Sequence, residues 1–334
     1  MKVFILTEGG NKIGLGHLTR CSALYDAFKD RGINPLFVAN TDKNAKNILK
    51  NKKYIIFNWV KQKTKLFKMI QGADIVVIDS YLSKEDIYKK VSEISKVPVF
   101  LDDNKRIDYP CGIIVNGSVY AEFLKYPKKN GTVYLLGPEY QPVRREFWKV
   151  PIKTIRKNIK NILITFGGDD PHNMTTKVLA LMVKYYPHLE KKIIIGSCFK
   201  NTKAIKNAGD SLTRLFYSPD AEKIKQIMLD ADIAISAAGQ TLNELARIGV
   251  PVIAVATAEN QLNNVFCWRK AGYIEYAGCW YQEKKILKNI INFIELLKDR
   301  KLRAAKHTIG KSYINGQGSR KVISTLLSPE DNNE

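Results

Sequence analysis

The chain runs twice through one succession: a short apolar run, a glycine-rich loop, then an apolar-periodic stretch. Residues 3 to 6 (VFIL) lead into a loop from Gly9 to Gly16, after which Leu18, Cys21, Leu24 and Phe28 recur at three- and four-residue spacing up to Gly32. That order predicts strand, loop, amphipathic helix and glycine stop. "NILITFGGDD" (161–170) opens the series again, with a helix expected from about Thr175. Further short apolar runs follow each opening: "NPLFVAN" (34–40), "DIVVID" (74–79), "VPVFLDD" (97–103) and "GIIVN" (112–116) in the first half, and "KKIIIG" (191–196), "LFYS" (215–218), "DIAISAAG" (232–239) and "VPVIAVA" (250–256) in the second. Strands of this kind, alternating with helices, belong to parallel sheets covered on both faces. The chain is therefore expected to be α/β, with two Rossmann-like domains facing a cleft. The domains are read as 1–150 and 151–328, joined across the basic, Pro-containing segment 137–160, with a disordered polar tail at 329–334.

The 334 residues, 45% hydrophobic and 26% charged, fit a soluble globular protein. No apolar run approaches the ~18 residues a membrane span needs. "MKVFILTEGG" reads as a first strand rather than a signal peptide. Five scattered cysteines suit reduced thiols in a cytoplasmic protein. The net charge of +22 is spread along the chain, and no RNP, zinc-finger or KH signature accompanies it. Nucleic acid is therefore not expected as the main partner, whereas an anionic small molecule is. A basic surface also suits peripheral contact with an anionic membrane.

Three stretches could carry chemistry. In "IGLGHLTRCSAL" (13–24), Gly14 and Gly16 let the backbone approach another molecule closely, and His17 opens a helix. There the helix dipole disfavours a protonated imidazole and suits a general base; alternatively, His17 only decorates the helix start. In "SAAGQTLNELARIGVP" (236–251), Gly239, Gln240 and Thr241 turn from a strand into a helix whose amides can hold a phosphate. Glu244 either accepts from ribose hydroxyls or is a solvated first-turn charge. In "AENQLNN" (258–264), Asn260 and Gln261 either bind sugar hydroxyls or serve the turn. Asp79, Tyr81, Asp102 and Asp103 stand at the carboxyl ends of two first-half strands, where open α/β sheets collect ligands. No His, Cys or further acid stands near the Asp pair in sequence, so polar positioning is favoured over a metal. His172, His188 and His307 read as surface residues.

Taken in order, these stretches resemble the PseG/SpsG family, which includes the UDP-sugar hydrolase of pseudaminic acid biosynthesis and is related to the glycosyltransferase MurG. The motifs are "IGLGHLTRCSAL", "IDSY" (78–81), "LDD" (101–103), "VNGSVY" (115–120), "GPEYQPVRREF" (137–147), "FGGDD" (166–170), "ISAAGQTLNE" (235–244), "NQ" (260–261) and "INGQGSRKV" (314–322). The resemblance implies a GT-B architecture with the active site in an interdomain cleft, a UDP-sugar substrate, and neither metal nor cofactor. It implies that His17 is the base on a water attacking the anomeric carbon, with Tyr81, Asp102 and Asp103 on the same wall. It further implies that Gly239, Gln240, Thr241 and Glu244 hold diphosphate and ribose, with Asn260 and Gln261 near the sugar or the diphosphate. Two departures stand out. Where relatives that hydrolyse the pseudaminic precursor commonly carry Arg-x-Asp, this chain has Leu6, Thr7 and Glu8. The "AAGQT" turn is also closer to the MurG-like pattern. A sugar or lipid hydroxyl in place of water would make the same scaffold a transferase. Spacing carries no information on oligomeric state.

Overall fold

The computed structural model describes residues 1–10, 13–42 and 45–328; the expected tail lies outside them. The chain divides into two compact units, one from Met1 to Arg145 together with the chain from Gly316 onward, the other from Glu146 to Asn315. The first unit holds a parallel sheet of β1 (Val3–Glu8), β2 (Leu36–Asn40), β3 (Tyr54–Ile56), β4 (Ala73–Asp79), β5 (Ser95–Leu101), β6 (Gly112–Asn116) and β7 (Thr132–Leu136), in the order β3-β2-β1-β4-β5-β6-β7. The second holds β8 (Asn161–Thr165), β9 (Glu190–Ile195), β10 (Thr213–Tyr217), β11 (Ile233–Ala237), β12 (Val252–Ala256) and β13 (Ile274–Cys279), in the order β10-β9-β8-β11-β12-β13, again parallel.

Both orders reverse direction once, between β1 and β4 in the first unit and between β8 and β11 in the second. Adjoining loops at a reversal leave in opposite directions and open a crevice at the carboxyl ends, where ligands of such sheets bind. The apolar runs do what their composition requires: β8, β11 and β12 are buried at every position. In the helix Gly16–Asp30, Leu18, Cys21, Leu24 and Phe28 are all fully buried. All five cysteines are free thiols, and only Cys111 is exposed. No helix among the described residues is long and apolar enough to cross a membrane.

Two expectations need correcting. The boundary falls at Arg145/Glu146 rather than at 150/151, within the basic segment 137–160. Phe147 and Trp148 are buried, and their carbonyls accept Arg247 Nε and Nη2 at 2.9 Å each. The C-terminal helix Gly318–Leu327, expected in the second domain, belongs to the first unit, where it packs on Gly16–Asp30 and on the turn Pro138–Tyr140. The approach is so close that a Cβ at Gly318 would lie 2.1 Å from the Gln141 carbonyl oxygen and 2.6 Å from its carbon. Backbone cannot yield as a side chain tip does, so Gly318→Ala is expected to cost about 1–3 kcal/mol. A urea midpoint unchanged by the substitution would contradict this packing.

Candidate functional site

In the first unit the site is built where β1 and β4 part. Beyond β1, Gly10 N–H donates to the Gly14 carbonyl at 3.0 Å and Gly14 N–H to the Gly10 carbonyl at 2.8 Å, closing a tight loop. Gly14 sits at φ +76°, a conformation that residues with a Cβ rarely adopt. The helix then starts at Gly16, with the Leu15 carbonyl accepting both N–H and hydroxyl of Thr19 at 2.9 and 2.8 Å. His17 is thus in the first helical turn, as expected, but it is 6% exposed and faces inward.

The His17 imidazole meets Asp79 at the end of β4. Nδ1 lies 2.6 Å from Asp79 Oδ1. Arg20, one turn along the same helix, grips that carboxylate with both arms: Nε donates to Oδ2 at 2.5 Å and Nη2 to Oδ1 at 2.6 Å. Burial opposes the charge on Asp79, but the Arg20 guanidinium and His17 outweigh it and hold the carboxyl well below the usual carboxylate range. An ionised carboxylate only accepts, so Nδ1 carries the hydrogen in this contact and the neutral ring keeps its lone pair on Nε2. Among the described residues, no group bonds to Nε2. Cys21 Sγ completes the surroundings of Asp79 at 3.6 Å; burial and then Asp79 itself push that thiol well up.

The Asp79 carboxyl titrates lower in the folded than in the unfolded chain, so the unfolded chain binds more protons just below about pH 4. The stability this group supplies is present above that range and is lost as pH falls toward the lowered folded value. The stability advantage of wild type over Asp79→Asn is therefore expected to narrow between pH 5 and about pH 3. Urea unfolding of the two proteins across that range would show a constant difference if Asp79 were not so held.

Around this pair the other expected residues divide. The Tyr81 ring stands edge-on to the imidazole with centroids 4.4 Å apart, and its hydroxyl donates to Asp103 Oδ2 at 2.8 Å. Burial and Asp103 push that phenol far up, so it remains a donor. Asp103 gives its other oxygen to Arg20 Nη1. Asp102, expected to act with the base, instead organises its own loop. Its Oδ2 accepts the Tyr126 hydroxyl, and its Oδ1 lies 3.3 and 3.4 Å from the amides of Asn104 and Arg106. The carboxylate on the imidazole is Asp79, and the one beside Tyr81 is Asp103. Glu8, the departure noted in the sequence, is fully buried and accepts the Ser80 hydroxyl at 2.5 Å and the amides of Tyr81 and Leu82 at 2.6 and 3.0 Å. It fixes the turn that carries Tyr81.

In the second unit the expected residues gather at the ends of β11 and β12. The helix Thr241–Ile248 starts straight after Gly239 and Gln240, with Asn243 Nδ2 donating to the Gln240 side chain at 3.1 Å. A Cβ at Gly239 would sit 3.6 Å from Gln261 Nε2. Gln261 Oε1 in turn accepts the amide and hydroxyl of Thr257 at 2.9 and 3.3 Å within its own loop, and Asn264 Nδ2 ties the two loops together by donating to the Ala238 carbonyl at 2.8 Å. Glu244 is 6% exposed and is no solvated first-turn charge, whereas Asn260 is exposed. The loop after the neighbouring β8 carries Gly167 and Gly168, and the following Asp170 carboxylate accepts the amides of Met174 and Thr175 at 2.9 and 2.7 Å. Of the three histidines read as surface residues, only His188 is exposed. His172 stacks on Trp280, and His307 Nδ1 lies 2.9 Å from the Gly249 carbonyl.

Residues 161–323 match the glycosyltransferase family 28 C-terminal domain. Among relatives in sequence, the chain is 29% identical to MJ1062 of Methanocaldococcus jannaschii, over 78% of this chain and 57% of that one. It is 25% identical to the spore coat polysaccharide biosynthesis protein SpsG of Bacillus subtilis, over 98% of both chains. It is also 27% identical to the pseudaminic acid cytidylyltransferase and UDP-2,4-diacetamido-2,4,6-trideoxy-beta-L-altropyranose hydrolase of Helicobacter pylori, over 78% of this chain and 46% of that one. The chain thus spans only about half the length of two of these three relatives. Among solved structures, MurG of Acinetobacter baumannii superposes with a TM-score of 0.64 at 13% identity, covering 98% of this chain and 99% of that one. UGT89C1 of Arabidopsis thaliana complexed with UDP gives 0.70 at 11%, covering 98% and 100%. The chain is therefore a GT-B protein, related in sequence to SpsG- and PseG-like proteins, with a glycosyltransferase family 28 C-terminal match in its second half.

Proposed function

We propose that this protein is an enzyme that releases UDP from a UDP-linked acetamido- or diacetamido-trideoxy sugar by inverting attack of water on the anomeric carbon, in the synthesis of a nonulosonic (pseudaminic-like) acid or a polysaccharide. The observation that carries the reading is the 2.6 Å contact of His17 Nδ1 with Asp79, which presents the Nε2 lone pair as a base. Nε2 takes a proton from water as its oxygen bonds to the anomeric carbon. The bond from that carbon to the β-phosphate oxygen breaks, and its electron pair leaves with UDP. Asp79 stabilises the imidazolium formed. Gly14 and Gly16 let the backbone approach the sugar closely, the Tyr81 hydroxyl and Asp103 are further polar groups on the wall of the imidazole, and Asp102 supports that wall by shaping the loop of Asp103. Gly239, Gln240 and Thr241 receive the diphosphate at a helix start, Glu244 the ribose, and Asn260 and Gln261 the sugar side of the diphosphate. The substrate class is supported by the name of the relative from H. pylori and by the UDP bound in a similar fold, and the polysaccharide setting by the name of the relative from B. subtilis.

A second reading, a glycosyltransferase of cell-envelope polysaccharide synthesis with the same donor site, is favoured by the family 28 match and the MurG-like "AAGQT" turn. The test is UDP release from a panel of UDP-linked acetamido and diacetamido sugars without acceptor. Release from one donor supports hydrolysis. A protein that binds UDP but releases none until a sugar or lipid acceptor is added is the transferase.

A further inference from the structure

Arg20 was not singled out by any motif reading, yet it holds more of the site than any other side chain. It is 5% exposed, and all three guanidinium nitrogens are engaged: Nε and Nη2 on the two oxygens of Asp79, Nη1 on Asp103. Asp103 passes the restraint on to the Tyr81 hydroxyl. The Nη2 atom also lies 3.3 Å from His17 Nδ1. Since Nδ1 points its hydrogen at Asp79, this is a cation held beside the ring rather than a hydrogen bond to it.

The charge count is informative. Two carboxylates face one guanidinium, so the cluster carries one surplus negative charge while the imidazole is neutral and none once it is protonated. With the guanidinium gone, two uncompensated carboxylates would draw a proton onto His17 before any substrate arrived. With both carboxylates fully offset, the imidazolium formed in the reaction would have no counter-charge.

Resting on the reading of His17 as base, we infer that Arg20 is a positioning residue for it. By holding Asp79 and Asp103 on one guanidinium, Arg20 leaves the cluster one positive charge short of balance, and a protonated His17 supplies that charge. The same grip fixes the Tyr81 hydroxyl through Asp103. Of the other titratable groups near the cluster, Cys21, Tyr81 and Tyr120 are pushed up by burial and stay neutral. The carboxylates of Glu8 and Asp102 contact neither Arg20 nor His17: Glu8 accepts from Ser80 and the amides of Tyr81 and Leu82, and Asp102 from Tyr126 and the amides of Asn104 and Arg106.

The test uses the full chain with Arg20→Met, Arg20→Lys and Asp103→Asn, read by the pH profile of UDP release and by NMR titration of the His17 imidazole in the substrate-free protein. Arg20→Met is expected to move the acid limb and the imidazole titration to higher pH by about 1–3 units. Arg20→Lys keeps the charge but not the planar fork, and is expected to leave the limb near wild type while lowering kcat. Asp103→Asn removes one carboxylate and is expected to move both readouts the opposite way. A loss of activity equal at every pH with the imidazole titration unmoved would reduce Arg20 to a packing role and overturn the inference. If Arg20→Met does not fold, Asp103→Asn decides alone, and a titration that fails to move downward overturns it. If wild type releases no UDP from any donor, the functional reading fails while the NMR titrations still decide this one.

Discussion

Replacing His17 by Ala is expected to lower the rate of UDP release about 10²–10⁴-fold, the usual contribution of a positioned base. Affinity for UDP should stay unchanged, because the turn at Gly239 proposed to receive the diphosphate belongs to the other compact unit. The imidazole is buried, so truncation leaves a small void beside Tyr81, but Arg20 continues to hold Asp79 and Asp103. Folding is accordingly retained. Steady-state UDP release and equilibrium UDP binding, measured side by side, check this. A matching fall in both, or a rate within a few-fold of wild type, would remove His17 from the chemistry.

Asp79→Asn is expected to be nearly as damaging, about 10²-fold or more in kcat, for a different reason. Asparagine has almost the shape of aspartate, but its amide nitrogen can donate to Nδ1. That stabilises the ring tautomer with its hydrogen on Nε2, where a base needs a lone pair. The neutral amide also offers no charge to the imidazolium. Near-wild-type kcat in a folded Asp79→Asn protein would mean that His17 needs no partner. A rise in KM at constant kcat would instead place Asp79 in binding.

Much of the architecture was legible because buried parallel strands are written as unbroken apolar runs. "DIVVID", "GIIVN" and "VPVIAVA" each became a strand within a residue or two of where they were read. The three strands that escaped notice, β3 (Tyr54–Ile56), β7 (Thr132–Leu136) and β13 (Ile274–Cys279), all lie at sheet edges. Edge strands have fewer neighbours and need less apolar sequence: β3 is exposed at every position, and β13 carries Glu275 and Gly278. The C-terminal helix could not be assigned to the first unit by any local pattern, because its docking depends on a close backbone approach at Gly318.

At the site, the glycine loop singled out His17 and the resemblance placed Tyr81 and Asp103 on its wall, but the carboxylate that meets the imidazole was not legible. Asp79 and Asp102 both end strands in sequence, and only the register of β4 against β1 and β5 decides that Asp79 reaches the imidazole while Asp102 turns to Tyr126. One signal was available: Arg20 is a charged residue three positions after His17, in a stretch where Leu18, Cys21 and Leu24 mark the buried side of the helix. A charge placed among such residues is normally paired.

The central claim is that His17 directs water to the anomeric carbon of a UDP-sugar. Real-time proton NMR of the productive donor with wild-type protein, without acceptor, tests it most directly. The account predicts free sugar appearing at the rate of UDP, first as the anomer opposite to that in the donor. Free sugar with the donor's own anomeric configuration, or UDP release that waits for an added acceptor, would contradict it.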